Sequence, residues 1–283
     1  MLSYLHGYHA GNFADVLKHL SLIHTLDYFA QKSKPYFYLD THSGPGLYSL
    51  LGDEAQKNAE YHNGIGKLWQ QKNLPPPIAR YKEIIQTCNQ QNDKKSKLIY
   101  YPGSPWIANS LTREQDRLTF CELHPRESQT LQQNFKRNRR IKILSQDGFQ
   151  TAIATMPPKE RRGVVLIDPP YEVKQDYERV VEVLVACHKR FATGTYAIWY
   201  PVVKRSTIDH MLNALKHSGI RNIQLFELGL QKDTSERGMT SSGMIFINPP
   251  WTLWQAMEES LPFLAKILGG EKGVYKMVQL VAE

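Results

Sequence analysis

Residues 163–171 read GVVLIDPPY. The near-continuous apolar run 163–167 is what a strand buried on both faces of a parallel sheet requires. It stops abruptly at Asp168-Pro169-Pro170-Tyr171. Working outward, the same alternation recurs. RLTFCE (117–122), IKILS (141–145) and TYAIWY (195–200) read as strands, and 125–137, 147–155, 172–191 and 205–217 as helices. Upstream, YFYLD (36–40) reads as a strand. It follows a helix over 12–31, where Phe13, Val16, Leu17, Leu20, Ile23 and Leu26 recur at helical spacing. Asn12 is its expected N-cap, with Asp15 placed to meet the orphan donors. Downstream, 222–230 and 243–248 are strands with no helix between them, expected to pair as an antiparallel edge, and 251–268 is a closing helix. Strands alternating with helices predict an α/β fold: a doubly wound, mostly parallel, seven-stranded Rossmann-like sheet with an antiparallel last strand.

The remaining composition is compatible with that fold. Of 283 residues, 41% are hydrophobic and 22% charged, which excludes a disordered or collagen-like chain. Cys88, Cys121 and Cys187 lie far apart, so neither a zinc ribbon nor a disulfide framework is expected. The formal charge of +8 suits a nucleic-acid partner. The opening MLSYLHGYHAGNF carries no signal-peptide pattern, and no long apolar run follows, so a cytoplasmic location is expected. Residues 50–98 are polar, with a triple proline at 75–77, and read as two helices, 55–72 and 77–91, without a strand. We therefore expect an inserted helical subdomain at 50–99. The main domain is then 1–49 and 100–283, with 1–33 as an N-terminal motif and helix.

A sheet of this kind binds ligands beyond the C-terminal ends of its strands. Four strand ends carry suitable groups. DTHSGPGLY (40–48) holds two glycines where backbone can approach a ligand, although it is not a full dinucleotide fingerprint. Glu122 can accept two ribose hydroxyls, and the insertion explains its distance from Asp40. Asp147-Gly148 can meet the amino group of an adenine ring, cap a helix, or do both. Asp168 and the Pro169 carbonyl can together face one exocyclic amino group, while Tyr171 offers a flat ring to a base. Asn248-Pro249-Pro250-Trp251 repeats that logic, but it closes the last strand and is read as a decoy. The histidines at 6, 9, 19 and 24 lack the carboxylate or thiol spacing of a metal site, so none is expected.

Taken together, these segments resemble the class I S-adenosylmethionine-dependent methyltransferases, and more closely the ribosomal RNA large-subunit methyltransferase J family. The resemblance runs through YLHGYHAGNFADVLKH (4–19), DTHSGPGLY (40–48), PGSP (102–105), FCELHP (120–125), QDGF (146–149), DPPYE (168–172) and NPPW (248–251). It implies methylation of one adenine N6 in 23S rRNA, with S-adenosylmethionine as cofactor. It further implies cofactor contacts from His19, His42, Ser104, Glu122, Asp147, Gly148 and Asp168. Asp168 is then also catalytic, with Tyr4, Pro169 and Tyr171 facing the RNA. The partner implied is naked or early-assembly 23S rRNA, bound by a monomer. Basic stretches at 136–140, Arg161-Arg162, and Lys94, Lys95 and Lys97 are expected to hold the RNA backbone. Two rivals are a DNA adenine methyltransferase, for which no target-reading domain is visible, and a non-enzymatic protein for use of external DNA.

Overall fold

The computed structural model describes residues 4–93, 97–234 and 238–283. Asn12 caps helix α1 (Phe13–Ala30), its side chain accepting from the amides of Ala14 and Asp15. Strands β1 (Phe37–Asp40) and β2 (Leu47–Ser49) follow. Then come helices α2 (Asp53–Asn58), α3 (Ile65–Trp69) and α4 (Pro76–Asp93), and β3 (Tyr100–Pro102) returns to pair with β2. Thereafter helix and strand alternate: α5 (Ser104–Leu111), β4 (Arg117–Cys121), α6 (Pro125–Phe135), β5 (Ile141–Leu144), α7 (Gly148–Thr155), β6 (Gly163–Ile167), α8 (Asp176–Arg190), β7 (Thr195–Val202) and α9 (Arg205–Lys216). The chain closes with β8 (Ile223–Gly229), β9 (Ser241–Ile247), α10 (Leu253–Gly269) and β10 (Val274–Val281).

The main sheet has eight strands in the order β10-β8-β9-β7-β6-β1-β4-β5. The five from β5 to β7 are parallel to their neighbours. All seven strands expected from the sequence are present. β8 and β9 do pair antiparallel, but β9 lies inside the sheet, between β7 and β8, rather than at its edge. The eighth strand, β10, was not expected. Its sequence VYKMVQLV sets apolar residues side by side at 274–275, 277–278 and 280–281 rather than alternating them, and its register shifts between Gln279 and Val281.

The expected helix 55–72 is broken into pieces. Ala59 takes a left-handed conformation, φ 51°, and ends α2. Gly64 then passes so close to the backbone of Gly11 and Asn12 that a Cβ would collide with it. α4 forms as expected. Its Ile78, Tyr81, Ile84 and Ile85 share one core with Leu17 and Leu20 of α1 and Leu261 of α10. A second core fills the other face of the sheet beneath α7, α8 and α9. No helix among the described residues is long and apolar enough to cross a membrane. The parallel strands thus end at one edge of the sheet, and α1 lies across the face that leads to that edge.

Candidate active site

A cleft of about 500 Å³ opens beyond the C-terminal ends of the parallel strands. Every site residue expected from the sequence lines it: Tyr4, His19, His42, Ser104, Glu122, Asp147, Gly148, Asp168, Pro169 and Tyr171. Their environments differ in ways that constrain what each can do.

Glu122, just past β4, is fixed from two sides. One carboxylate oxygen accepts from the Gly44 amide and the other from the His124 amide, both at 2.7 Å. Burial pushes its carboxyl up, and these amides oppose that shift. Gly44 has φ +61°, which a side chain at this position would strain. The loop after β1 and the carboxylate after β4 are therefore built as one unit. Each oxygen keeps a further lone pair for a hydroxyl of a ligand.

Asp147 caps α7 by accepting from the Phe149 and Gln150 amides, so the expected capping role is present. Its second oxygen meets the Arg179 guanidinium at 2.6 Å. Partial burial pushes its carboxyl up, but Arg179 and the amides hold it below the usual range. A Cβ on Gly148 would collide with the Thr41 carbonyl, so this residue must be glycine for the loops after β1 and β5 to meet. His42 Nδ1 shares a hydrogen bond of 2.8 Å with the Thr41 hydroxyl, and the ring stands edge-on to Phe149. Burial holds its imidazole down to about 4, so it is neutral.

Ser104 begins α5 and hydrogen-bonds the buried Asp40 carboxyl, which burial raises to about 6. His19 lies deeper still. Its Nδ1 is engaged by the Tyr101 hydroxyl at 2.8 Å, the rings stack, and burial drives its pKa down to about 3. It meets the cleft as a neutral ring.

Asp168 ends β6 and is held by a residue that the sequence reading missed. Lys18 Nζ lies 2.7 Å from Asp168 and 2.9 Å from Asp15, with only 5% of its side chain exposed. The chain of contacts continues. His6 Nε2 donates to Asp15 at 2.9 Å, and His6 Nδ1 accepts from the Tyr4 hydroxyl at 2.8 Å. Tyr4 stacks on His9, and Glu60 accepts from both His9 and Asn12 at 2.9 Å. A buried relay of hydrogen bonds thus joins the N-terminal segment to Asp168. Burial raises the Asp168 carboxyl, and the Lys18 ammonium opposes it. Burial would lower Lys18, but its two carboxylates outweigh that and hold it charged.

Tyr171 takes a left-handed backbone, φ 52°, at the end of the turn. Its hydroxyl donates to the Trp199 carbonyl at 2.6 Å, and its ring packs on Tyr177. The ring is immobilised at the wall of the cleft. Strain of this kind persists only where surrounding structure enforces it.

Asn248 is elsewhere. Because β9 runs antiparallel, its end lies at the opposite edge of the sheet, and the Asn248 amide donates to the Ala192 and Gly194 carbonyls. Two of the basic stretches lie away from the cleft. Residues 136–140 precede β5, and Arg161-Arg162 precede β6, so both sit at the edge away from the cleft. Arg140 and Arg162 are engaged by backbone carbonyls. Lys97 is exposed, while Lys94 and Lys95 fall outside the described residues.

The chain that builds this cleft is similar to known proteins. The family model described as "Ribosomal RNA large subunit methyltransferase D, RlmJ" covers residues 33–281. The chain is 52% identical over 268 residues to the ribosomal RNA large subunit methyltransferase J of Haemophilus influenzae, covering 95% of this chain and 94% of that one. It is 48% identical over 264 residues to the Escherichia coli protein of the same name, covering 93% of each. A crystal structure of a Legionella pneumophila protein, 36% identical, superposes with a TM-score of 0.88 over 96% of this chain and 98% of that one. The sheet, the cleft and these matches converge: the chain belongs to the ribosomal RNA large subunit methyltransferase J family.

Proposed function

We propose that this protein methylates the N6 amino group of one adenine in 23S rRNA, with S-adenosylmethionine as donor. The observation that carries this reading is the Asp168-Pro169-Pro170-Tyr171 turn, whose aspartate is held charged by Lys18 in the same cleft as Glu122. When bound, S-adenosylmethionine supplies an electrophilic methyl group on a sulfonium. The donor set suits it: Glu122 can take its ribose hydroxyls, and Asp147 with Gly148 can frame its adenine. The neutral faces of His19 and His42 and the hydroxyl of Ser104 complete the wall.

The target nitrogen is a weak nucleophile because its lone pair is delocalised into the ring. Asp168 and the Pro169 carbonyl would accept its two N–H bonds, favouring a pyramidal nitrogen whose lone pair faces the donor. An ionised carboxylate offers only acceptors to the amino group, whereas a protonated one carries a competing O–H, and the Lys18 ion pair favours the ionised form against burial. Tyr171 would replace the stacking that the base loses on leaving its helix. Tyr4, hydrogen-bonded to His6 and stacked on His9, would contact the RNA. Positioning then accounts for much of the rate.

DNA as substrate would use the same chemistry, but the family to which the chain belongs is named for ribosomal RNA. We treat 50–99 as an inserted helical layer on a main domain formed by 1–49 and 100–283, in a monomeric cytoplasmic protein. The test is Asp168→Ala. It should keep S-adenosylmethionine binding and lose about 100-fold or more in single-turnover methylation of rRNA. A near-normal rate would remove Asp168 from catalysis.

A further inference from the structure

A dense group of this protein's positive charges lies away from its cleft. Around the cleft, guanidiniums are paired: Arg126 with Glu54, Arg179 with Asp147, and Arg205 with Glu227 and Asp233. The opposite edge of the sheet is different. Four segments precede the four adjacent strands β6, β1, β4 and β5: residues 159–162, 32–34, 113–117 and 139–140. They hold nine lysines and arginines against three acids, Glu114, Asp116 and Glu160. That local excess of six compares with +8 for the whole chain.

The segments form one continuous rim. Arg162 and Arg113 both donate to the Lys34 carbonyl, at 3.1 and 3.2 Å, and Arg113 also reaches the Lys32 carbonyl at 2.6 Å. Arg140 donates to the Arg113 carbonyl at 2.9 Å. Most of these guanidinium contacts are to carbonyl oxygens, which fix the side chains without neutralising them. Asp116 is the exception, and it is fully buried against Arg113. Lys32, Lys34, Arg139, Lys159 and Arg161 project from this frame, exposed. Four neighbouring strands span about 14 Å, enough to follow several phosphates.

We propose that this rim is a second RNA-binding surface, which takes the phosphate backbone of a part of the rRNA remote from the methylated nucleotide. The proposal rests on the reading of rRNA as substrate. Six residues of extended strand separate Arg162 from Asp168, about 20 Å at 3.3 Å per residue. That exceeds the reach of screened attraction, about 8–10 Å at ordinary salt. An RNA that engages both edges must therefore wrap the sheet, which a short hairpin seated in the cleft does not do.

The test is a variant carrying K32Q, K34Q, R139Q and K159Q together, which leaves the carbonyl-bonded frame intact. Its affinity is measured against salt for a long rRNA transcript and for a fragment of roughly 25 nucleotides around the methylated adenine, with the spans chosen so that only the transcript can wrap. On the transcript, the slope of log affinity against log salt should fall by about 3, four lost contacts at 0.7–0.9 each. On the short fragment, affinity and methylation rate should match the wild type. An unchanged slope on the transcript overturns the proposal, and so does an equal loss on both RNAs, which would place the rim in the path of the target itself. Absence of methylation of either RNA by the wild type, with the variant's slope on the transcript still lower by about 3, would instead contradict rRNA as the methylated substrate while leaving the rim's contact with RNA in place.

Discussion

Replacing Lys18 with methionine keeps most of the apolar stem and removes one charge from the centre of the site. The ammonium it removes lies 2.7 Å from Asp168 and 2.9 Å from Asp15, with 5% of the side chain exposed. Two carboxylates then face each other with only His6 and the Gly11 amide to satisfy Asp15. Leaving a buried charge without its partner costs about 3–5 kcal/mol. The site can relieve that cost by binding a proton, and Asp168 is the group to take it, because burial already raises its carboxyl while Lys18 is present. A protonated Asp168 no longer offers an ionised acceptor to the amino group. We expect single-turnover methylation at neutral pH to fall by about 100-fold or more. The sign of the pH dependence follows. With its proton affinity raised, Asp168 regains its charge as pH rises, so the variant's rate should climb by about tenfold per pH unit until the carboxyl is ionised. In the wild type the Lys18 ammonium opposes that rise in proton affinity, so its rate should depend less steeply on pH over the same range. A Lys18→Met protein that is folded by its thermal transition, and methylates with the rate and pH profile of the wild type, would refute the reasoning.

Three further outcomes are expected. Glu122→Gln leaves one acceptor oxygen for two amide donors now bound at 2.7 Å, so S-adenosylmethionine should bind about 10- to 100-fold more weakly, the equivalent of about 1.5–3 kcal/mol; unchanged affinity by calorimetry would contradict the role. Asn248→Ala should keep full methylation and lose about 1–2 kcal/mol of stability in urea, since it removes two bonds to carbonyls far from the cleft; lost methylation in a folded protein would return the second Pro-Pro turn to the site. His19 is held neutral to about pH 3, whereas an unfolded chain protonates it near 6.5, so its contribution is present above 6.5 and declines as pH falls. By pH 5 this amounts to about 2 kcal/mol, and urea unfolding of His19→Gln should show a correspondingly smaller loss between pH 7.5 and 5.

The central parallel strands are legible because burial on both faces enriches them in apolar residues, as in 163–167, whereas β5 at the edge is only partly buried. The acids that end them are legible for the same reason: Glu122 and Asp168 interrupt such runs where the fold places its ligands. Other features are written in three dimensions only. Strand order does not follow chain order, so nothing in GMIFIN (243–248) says that β9 is inserted between β7 and β8. The side-by-side apolar pairs of VYKMVQLV hide β10 from an alternation reading. Lys18 falls off the apolar stripe of α1 and reads as solvated, but α1 is enclosed on nearly every side, and its one buried ammonium answers two carboxylates. The segment Arg161-Arg162 reads equally well as facing the cleft or facing away; only the direction of β6 decides. Lys18 follows Asp15 by three residues in α1, the spacing of a helical ion pair, and that is the signal the sequence offers for the relay.

The central claim is that the methyl group goes to the N6 nitrogen of adenine in rRNA. Purified protein, S-adenosylmethionine with a labelled methyl group and unmodified 23S rRNA can be combined, the RNA digested to nucleosides, and the products separated by mass spectrometry. The account predicts the label in N6-methyladenosine, at one site per transcript, and its loss with Asp168→Ala. Label in another methylated nucleoside, or in none while DNA is methylated instead, would contradict it.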